Sequence, residues 1–321
     1  MALKYEHLSK GVERTKKYIQ ERNDGTSRSL ITSKPSLNKA LMDGIDWNRI
    51  LTIGGQSGSG KSTILEELKR DFCTLNFPDF YILSFEFEML IEDQLARSIS
   101  PKVDKSVKEL YTQGGDIDGV MEALDAYNNM PAYFVDNVGT VDEVKDTILD
   151  FTRNVCLPER KNVIITLDHL LLTKGRKGDE EKDVIDDLMR TFVDLKKYIS
   201  SLGIKCLFIS LSQLNRNIES PDRVLNSLLH YPNKSDLFAA SSTYYCSDYV
   251  IITHRPATVS GITRFYGPPT KNRKQGLPLR SESGKDLIYW HIIKERFGSP
   301  SILVMEEDFK YSRVNEYEIE I

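Results

Sequence analysis

The chain has 321 residues, 40% hydrophobic and 28% charged, which suits one large α/β domain with additions or two small domains. Its formal net charge of −4 argues against a globally basic nucleic-acid binder and leaves room only for local basic loops. Cys73, Cys156, Cys206 and Cys246 lie far apart with no Cys-x-x-Cys pair, which disfavours a zinc or disulfide framework; with no apolar run of about 20 residues and no signal-like N-terminus, a cytoplasmic protein without a membrane segment is expected.

Residues 2–22 read as a helix, with Tyr5, Leu8, Val12 and Ile19 at helical spacing and Asn23-Asp24-Gly25 as its stop. The polar stretch 24–35 reads as a flexible linker, leaving 36–321 as the main domain. The narrow stripe of 1–23 then either seeks a partner or packs on its own domain. From residue 36 strands and helices alternate. Ile50–Ile53, Phe80–Phe85, Ala132–Val135, Val163–Leu167 and Cys206–Leu211 are strand-like. Helical patterns follow at Lys61 to about Asn76, 90–99 and 117–129. A capping box, Thr140-Val-Asp-Glu143, opens another, and a long amphipathic run extends from Val184 to Ile199. This alternation predicts a mostly parallel sheet with helices on both faces. Residues 215–235, rich in Asn, Ser, Pro and Asp, read as a long mobile loop. Tyr249–Thr253, Leu287–Ile293 and Ser301–Val304 read as further strands, antiparallel toward the C-terminus.

Gly55-Gln56-Ser57-Gly58-Ser59-Gly60-Lys61-Ser62, followed by Thr63, fits G-x-x-x-x-G-K-[ST] between a strand and a helix. Such a P-loop turns backbone N–H groups onto the phosphates of a nucleotide, ATP being the expected one. Lys61 reaches the β/γ-phosphates and Ser62 is a Mg²⁺ ligand. Asp168, directly after the strand 163–167, is the candidate acid for Mg²⁺. Glu86 and Glu88 follow the strand 80–85, where a carboxylate can activate water. Gln213, at the tip of the strand 206–211, can sense the γ-phosphate. His169 reads as structural.

Lined up in order, Leu37-Asn38-Lys39, Gly55–Thr63, Leu83-Ser-Phe-Glu86, Leu167-Asp168, Ser212-Gln-Leu-Asn-Arg216, Lys234-Ser-Asp-Leu237 and Lys294-Glu-Arg296-Phe-Gly resemble the ATPase half of DnaB-like replicative helicases. The resemblance implies a RecA-like fold and a ring, expected to be hexameric. It implies ATP hydrolysis driving 5′-to-3′ movement on single-stranded DNA, and a primase or loader as protein partner. It makes Glu86 the catalytic carboxylate, Gln213 the sensor, and Lys294 and Arg296 a finger pair that enters the neighbouring subunit's site. It also makes residues 2–22 a helix that docks on that neighbour. The alternative is a RecA- or KaiC-like ATPase that assembles on DNA or protein without unwinding. The sequence departs from the family where Phe238–Tyr245 stands in place of an arginine and a glycine-containing DNA-contact loop. A compact chain without the family's N-terminal helical domain is reminiscent of phage-encoded replication proteins. Candidate DNA contacts are Lys234, Ser241 and Ser242, together with the basic cluster Lys174, Arg176 and Lys177; a second cluster is Lys271, Arg273, Lys274 and Arg280.

Overall fold

Residues 5–115, 117–175, 178–271 and 273–319 are described by a computed structural model. The strands are β1 (Arg49–Gly55), β2 (Phe80–Glu86), β3 (Ala132–Val135), β4 (Asn162–Asp168), β5 (Cys206–Gln213), β6 (Tyr249–His254), a short β7–β8 pair (Phe265–Tyr266 and Leu277–Pro278), β9 (Leu287–Glu295), β10 (Ser301–Asp308) and β11 (Arg313–Glu316). The helices are α1 (Leu8–Asn23), α2 (Pro35–Ala40), α3 (Lys61–Leu75), α4 (Ile91–Val103), α5 (Val107–Tyr111), α6 (Val120–Asp125), α7 (Val141–Phe151), α8 (Leu157–Glu159), α9 (Glu181–Ser201), α10 (Pro221–Leu225) and α11 (Ala240–Cys246).

Nine strands form one sheet in the order β11-β10-β9-β6-β1-β5-β4-β2-β3. The run from β6 to β3 is parallel, and β9, β10 and β11 close the other side antiparallel. Alternation along each strand divides the core between two faces. Leu51 and Ile53 of β1, with Leu207, Ile209 and Leu211 of β5, meet Ile64, Leu65, Leu68 and Phe72 of α3. Ile50, Phe208, Val163 and Ile165 face the other way, onto α7 and the stripe of α9 from Val184 to Ile199. Strands buried on both faces need helices on both faces, as the near-continuous apolar runs predicted. The Thr140–Glu143 capping box is present at the start of α7.

Two segments are more ordered than their polarity suggested. In 24–35, Leu30 exchanges backbone hydrogen bonds of 2.9 Å with Ile45, and Asn38 Oδ1 accepts from Thr32 N at 2.9 Å. Polar side chains there cap and bridge turns, so the segment lies along the domain. In 215–235, Asn215, Asn226 and Asn233 each cap a short turn. Arg223 ties the segment together: it pairs with buried Asp236 and donates to the carbonyls of Leu229 and Tyr231, both at 3.0 Å. α1 is attached through its polar side, where Tyr18 donates to Asp46 at 2.8 Å and Arg22 to Met42 O at 3.1 Å. Tyr5, Leu8, Val12 and Ile19 remain exposed.

Removing one partner of a buried ion pair strands the other charge. Asp236→Ala, which leaves Arg223 buried and unpaired, is expected to cost about 3–5 kcal/mol in urea unfolding; a loss below about 1 kcal/mol would mean that Arg223 does not organise this segment.

Candidate active site

Parallel strands end together, so the loops after β1, β2, β4 and β5 converge at one edge of the sheet. There the P-loop turns from β1 into α3. Gly60 precedes the helix at φ +89°, a left-handed conformation, and a Cβ on it would lie 2.7 Å from the Phe309 ring. At Gly55 a Cβ would meet the Thr253 carbonyl at 2.9 Å. The loop is braced from β6, where buried Thr253 donates to Ser59 O at 2.8 Å, and internally by Ser59 Oγ donating to Gln56 O at 2.8 Å. Gln56 also bonds Glu219.

A cavity of about 320 Å³ opens over this loop, lined by Ser57, Gly58, Gly60, Lys61, Ser62 and Thr63. Glu88, Arg97, Gln213, Phe309 and Ser312 complete its wall. Lys61 is buried, with Nζ donating to Gln56 O at 2.8 Å. Burial lowers its pKa, against the pull of Asp168 and Glu88. Asp168 is 4% exposed. Burial pushes its carboxyl up to about 7, and the charges of Glu88 and Glu86 add to the rise, while the Ser62 hydroxyl and Lys61 oppose it. Its Oδ1 has no hydrogen-bond partner. A buried carboxylate oxygen left unpaired beside a serine hydroxyl fits a hard dication with oxygen ligands. Among the described residues no cluster of three or more His, Cys, Asp or Glu side chains suits a metal, and Mg²⁺ characteristically takes few protein ligands beside phosphate oxygens.

The two glutamates separate. Glu86 is the register partner of Asp168, but its carboxylate accepts from Lys69 Nζ at 2.8 Å. Lys69 also pairs with Glu66 at 2.5 Å. This buried triad lines a different cavity, under α4 and β3. Glu86, expected to face the nucleotide, is thus engaged by Lys69, and the carboxylate that lines the P-loop cavity belongs to Glu88, just beyond β2. Sequence spacing could not separate them, because Lys69 captures Glu86 from a neighbouring helix. His169, its pKa lowered by burial, lies 3.9 Å from Glu88.

Gln213 lines the P-loop cavity and its backbone leads outward. Its carbonyl accepts from Phe238 N at 3.0 Å, Leu214 bridges Leu237, and Asn215 N donates to Asp236 O at 2.7 Å. Lys234 and Ser241 are exposed on this outer layer. Ser242 is not available to a phosphate: it is buried, and its hydroxyl donates to Asp186. Phe238 and Tyr244 pack partly against the core, while Tyr245 is exposed. Lys174 opens into a cavity with Asp142, Asp179, Asp183 and Asp187, which offset its charge; Arg176 and Lys177 lie outside the described residues. In the second cluster Arg280 pairs with Asp286 at 3.0 Å.

Lys294 and Arg296 sit at the opposite end of the sheet. Lys294 pairs with Val250 at the entry of β6, whereas the P-loop touches Thr253 near its exit, about 10 Å further along the strand. Lys294 Nζ donates to Tyr244 O at 2.7 Å, and Arg296 Nε pairs with buried Asp248 at 2.7 Å while staying half exposed. Neither lines its own chain's P-loop cavity. Residues that line or brace the loop and that the sequence reading did not single out are Thr253, Arg97 and the Phe309–Ser312 turn. Of these only Thr253 carried a signal, as the end of an apolar strand.

Residues 30–314 match the family described as DnaB-like helicase C terminal domain. A solved ATPase domain superposes with a TM-score of 0.73 at 16% identity, covering 98% of this chain and 100% of that one. A DnaB-like replicative helicase, whose structure is described together with its interactions with primase, gives 0.71 at 16% identity, covering 98% and 68%. No curated protein matches the chain. The sheet is thus of the RecA-like type seen in DnaB ATPase domains, and the chain belongs to the DnaB-like helicases, ATP-hydrolysing enzymes of replicative unwinding.

Proposed function

We propose that this chain binds ATP with Mg²⁺ in the P-loop cavity and hydrolyses it at the boundary between copies in a ring of six, moving 5′ to 3′ along single-stranded DNA. The observation that carries the two-copy reading is the distance between ends: the cations of the Lys-x-Arg pair lie at the far end of β6 from their own P-loop. The exposed stripe of α1 supports a helix that docks on the adjacent subunit, and a primase or a loader is the expected further partner.

Within a site, backbone N–H groups of Gly58–Ser62 and the Lys61 ammonium hold the phosphate tail. Ser62 and Asp168 would hold Mg²⁺, which when bound neutralises phosphate charge. Glu88 orients and deprotonates the attacking water, Gln213 senses the γ-phosphate, and Arg97 adds a cation for which no ion pair occurs among the described residues. Arg296 and Lys294 of a neighbouring copy offset the charge that develops in the transition state. Gln213 passes the state of the site through Leu214 and Asn215 to 234–241, where Lys234 and Ser241 contact DNA.

Three outcomes follow. Glu88→Gln is expected to lower kcat roughly 10²–10⁴-fold with nucleotide affinity retained, while Glu86→Gln chiefly lowers the unfolding midpoint by leaving Lys69 with Glu66 as its one carboxylate partner. Loss of turnover in the second variant alone, at unchanged stability, would return the catalytic role to Glu86.

Arg296→Ala and Lys61→Ala should each be inactive alone. Mixed in equal amounts and reassembled, they should regain up to roughly a quarter of wild-type turnover, since only interfaces joining an intact P-loop to an intact finger work. No recovery in verified mixed rings would reject a finger acting in trans.

Asp168 holds its proton more tightly folded than unfolded. Its stabilising contribution is complete below about pH 4 and is lost as pH rises toward about 7. Metal-free Asp168→Asn should therefore be more stable than wild type at pH 7, by about 1 kcal/mol or more, with a flatter pH dependence in urea titrations; parallel profiles would contradict the assignment.

A further inference from the structure

Away from the P-loop, a cavity of about 430 Å³ lies between the segment before α2, the outer face of α3, the end of α4 and β11. It shares no lining residue with the P-loop cavity, and Arg70 is nine residues beyond Lys61 along α3, about 14 Å. Four cations line it, Lys34, Arg70, Lys102 and Arg313, against two carboxylates, Glu67 and Glu316.

Glu316 is committed and Glu67 only in part, its Oε2 being buried without a hydrogen-bond partner. Glu316 accepts from both the backbone N–H, at 2.8 Å, and the hydroxyl of Ser36. Glu67 accepts from Val314 N at 2.9 Å and faces Lys34 at 3.4 Å. Its burial moves it toward the neutral form, which weakens its repulsion of an anion. Arg313 is taken up by Asp308 at 2.6 Å and Asp104 at 3.4 Å.

Two cations are left over. Arg70 reaches Glu67 only at 4.0 Å, and its Nη1 is buried without a hydrogen-bond partner. Lys102 sits 4.7 Å over the Tyr127 ring and has no carboxylate partner among the described residues; burial and the Arg70 charge both lower its pKa. A buried guanidinium N–H left unpaired beside a second uncompensated cation is costly for the free protein and favourable toward a compact polyanion. The guanidinium offers a planar fork matched to phosphate oxygens, and the ammonium a point charge.

We propose that this cavity is a second anion site, taking a small phosphate of about pyrophosphate size, either free or as the tail of a nucleotide. Arg70 and Lys102 are its principal ligands, and Lys34 and Arg313 line it beside them.

Sodium pyrophosphate titrated calorimetrically into the full chain carrying Lys61→Ala reads this site with the P-loop disabled. Binding should persist there and weaken roughly tenfold or more on adding Arg70→Met or Lys102→Met. Lys102 is exposed, so its variant keeps the test valid if the Arg70 change disturbs folding. Orthophosphate and ADP, titrated in the same background, distinguish a free phosphate from a nucleotide tail, and either preference supports the site. Binding lost with Lys61→Ala, or unchanged by both methionine variants, overturns the proposal.

Discussion

The nucleotide site rests on charges held away from water before any ligand arrives. Lys61 is buried and its pKa falls; Asp168, at the end of the neighbouring β4, is buried and its pKa rises. Each opposes the other's shift, yet burial is the largest cause for both. A pair left in that condition is poised rather than satisfied. In the proposed site phosphate oxygens would complete what Lys61 lacks, and a dication would complete Asp168. The folded sheet meets this cost through apolar packing on both of its faces, where α3 and α9 cover strands that show almost no exposed surface. Thr253 and Gly55 then fix the loop against β6, so the donors are aimed before binding.

What could be read from the sequence was whatever local spacing determines. The P-loop, the acid at the end of an apolar strand, the capping box at Thr140 and the stripe of α9 each depend on residues close in the chain. The linker-like 24–35 and the loop-like 215–235 share a composition that leaves their local order open. Asn, Ser and Thr serve equally in solvated chain and in turns whose hydrogen bonds close locally, and only the tertiary contacts of Leu30 and Arg223 distinguish the two. Glu86 and Glu88 show the same limit at the site. Of two carboxylates two residues apart the resemblance chose Glu86, and Lys69, from a helix that packs on the strand, holds that one. Phe309 was beyond reach, because its contact with Gly60 joins the last turns of the chain to its first loop.

The two ends of the sheet are joined by α11, and this gives the proposed motor a physical route. At one end Gln213 holds Phe238 by its carbonyl, so a movement of Gln213 would displace the segment that leads into α11. At the other end Lys294 donates to the carbonyls of Tyr244 and Tyr245 in the last turn of α11, and Arg296 pairs with Asp248 just beyond it. The Tyr244 ring lies between Lys294, at 4.8 Å, and Lys234, at 5.9 Å. A shift of α11 would therefore change both the surface around Lys234 and the tether of Lys294 and Arg296. Asp248 resists such a shift, since it is buried, accepts from Ile50 N at 2.9 Å and pairs with Lys196 at 2.6 Å. Arg296, half exposed and held by a single ion pair, is the more easily released of the two partners. Release would cost little next to the stabilisation a cation provides at a developing phosphate charge. In the proposed ring, a finger stored on its own chain by a weak contact and used on its neighbour by a strong one would tie hydrolysis to assembly without a separate control element.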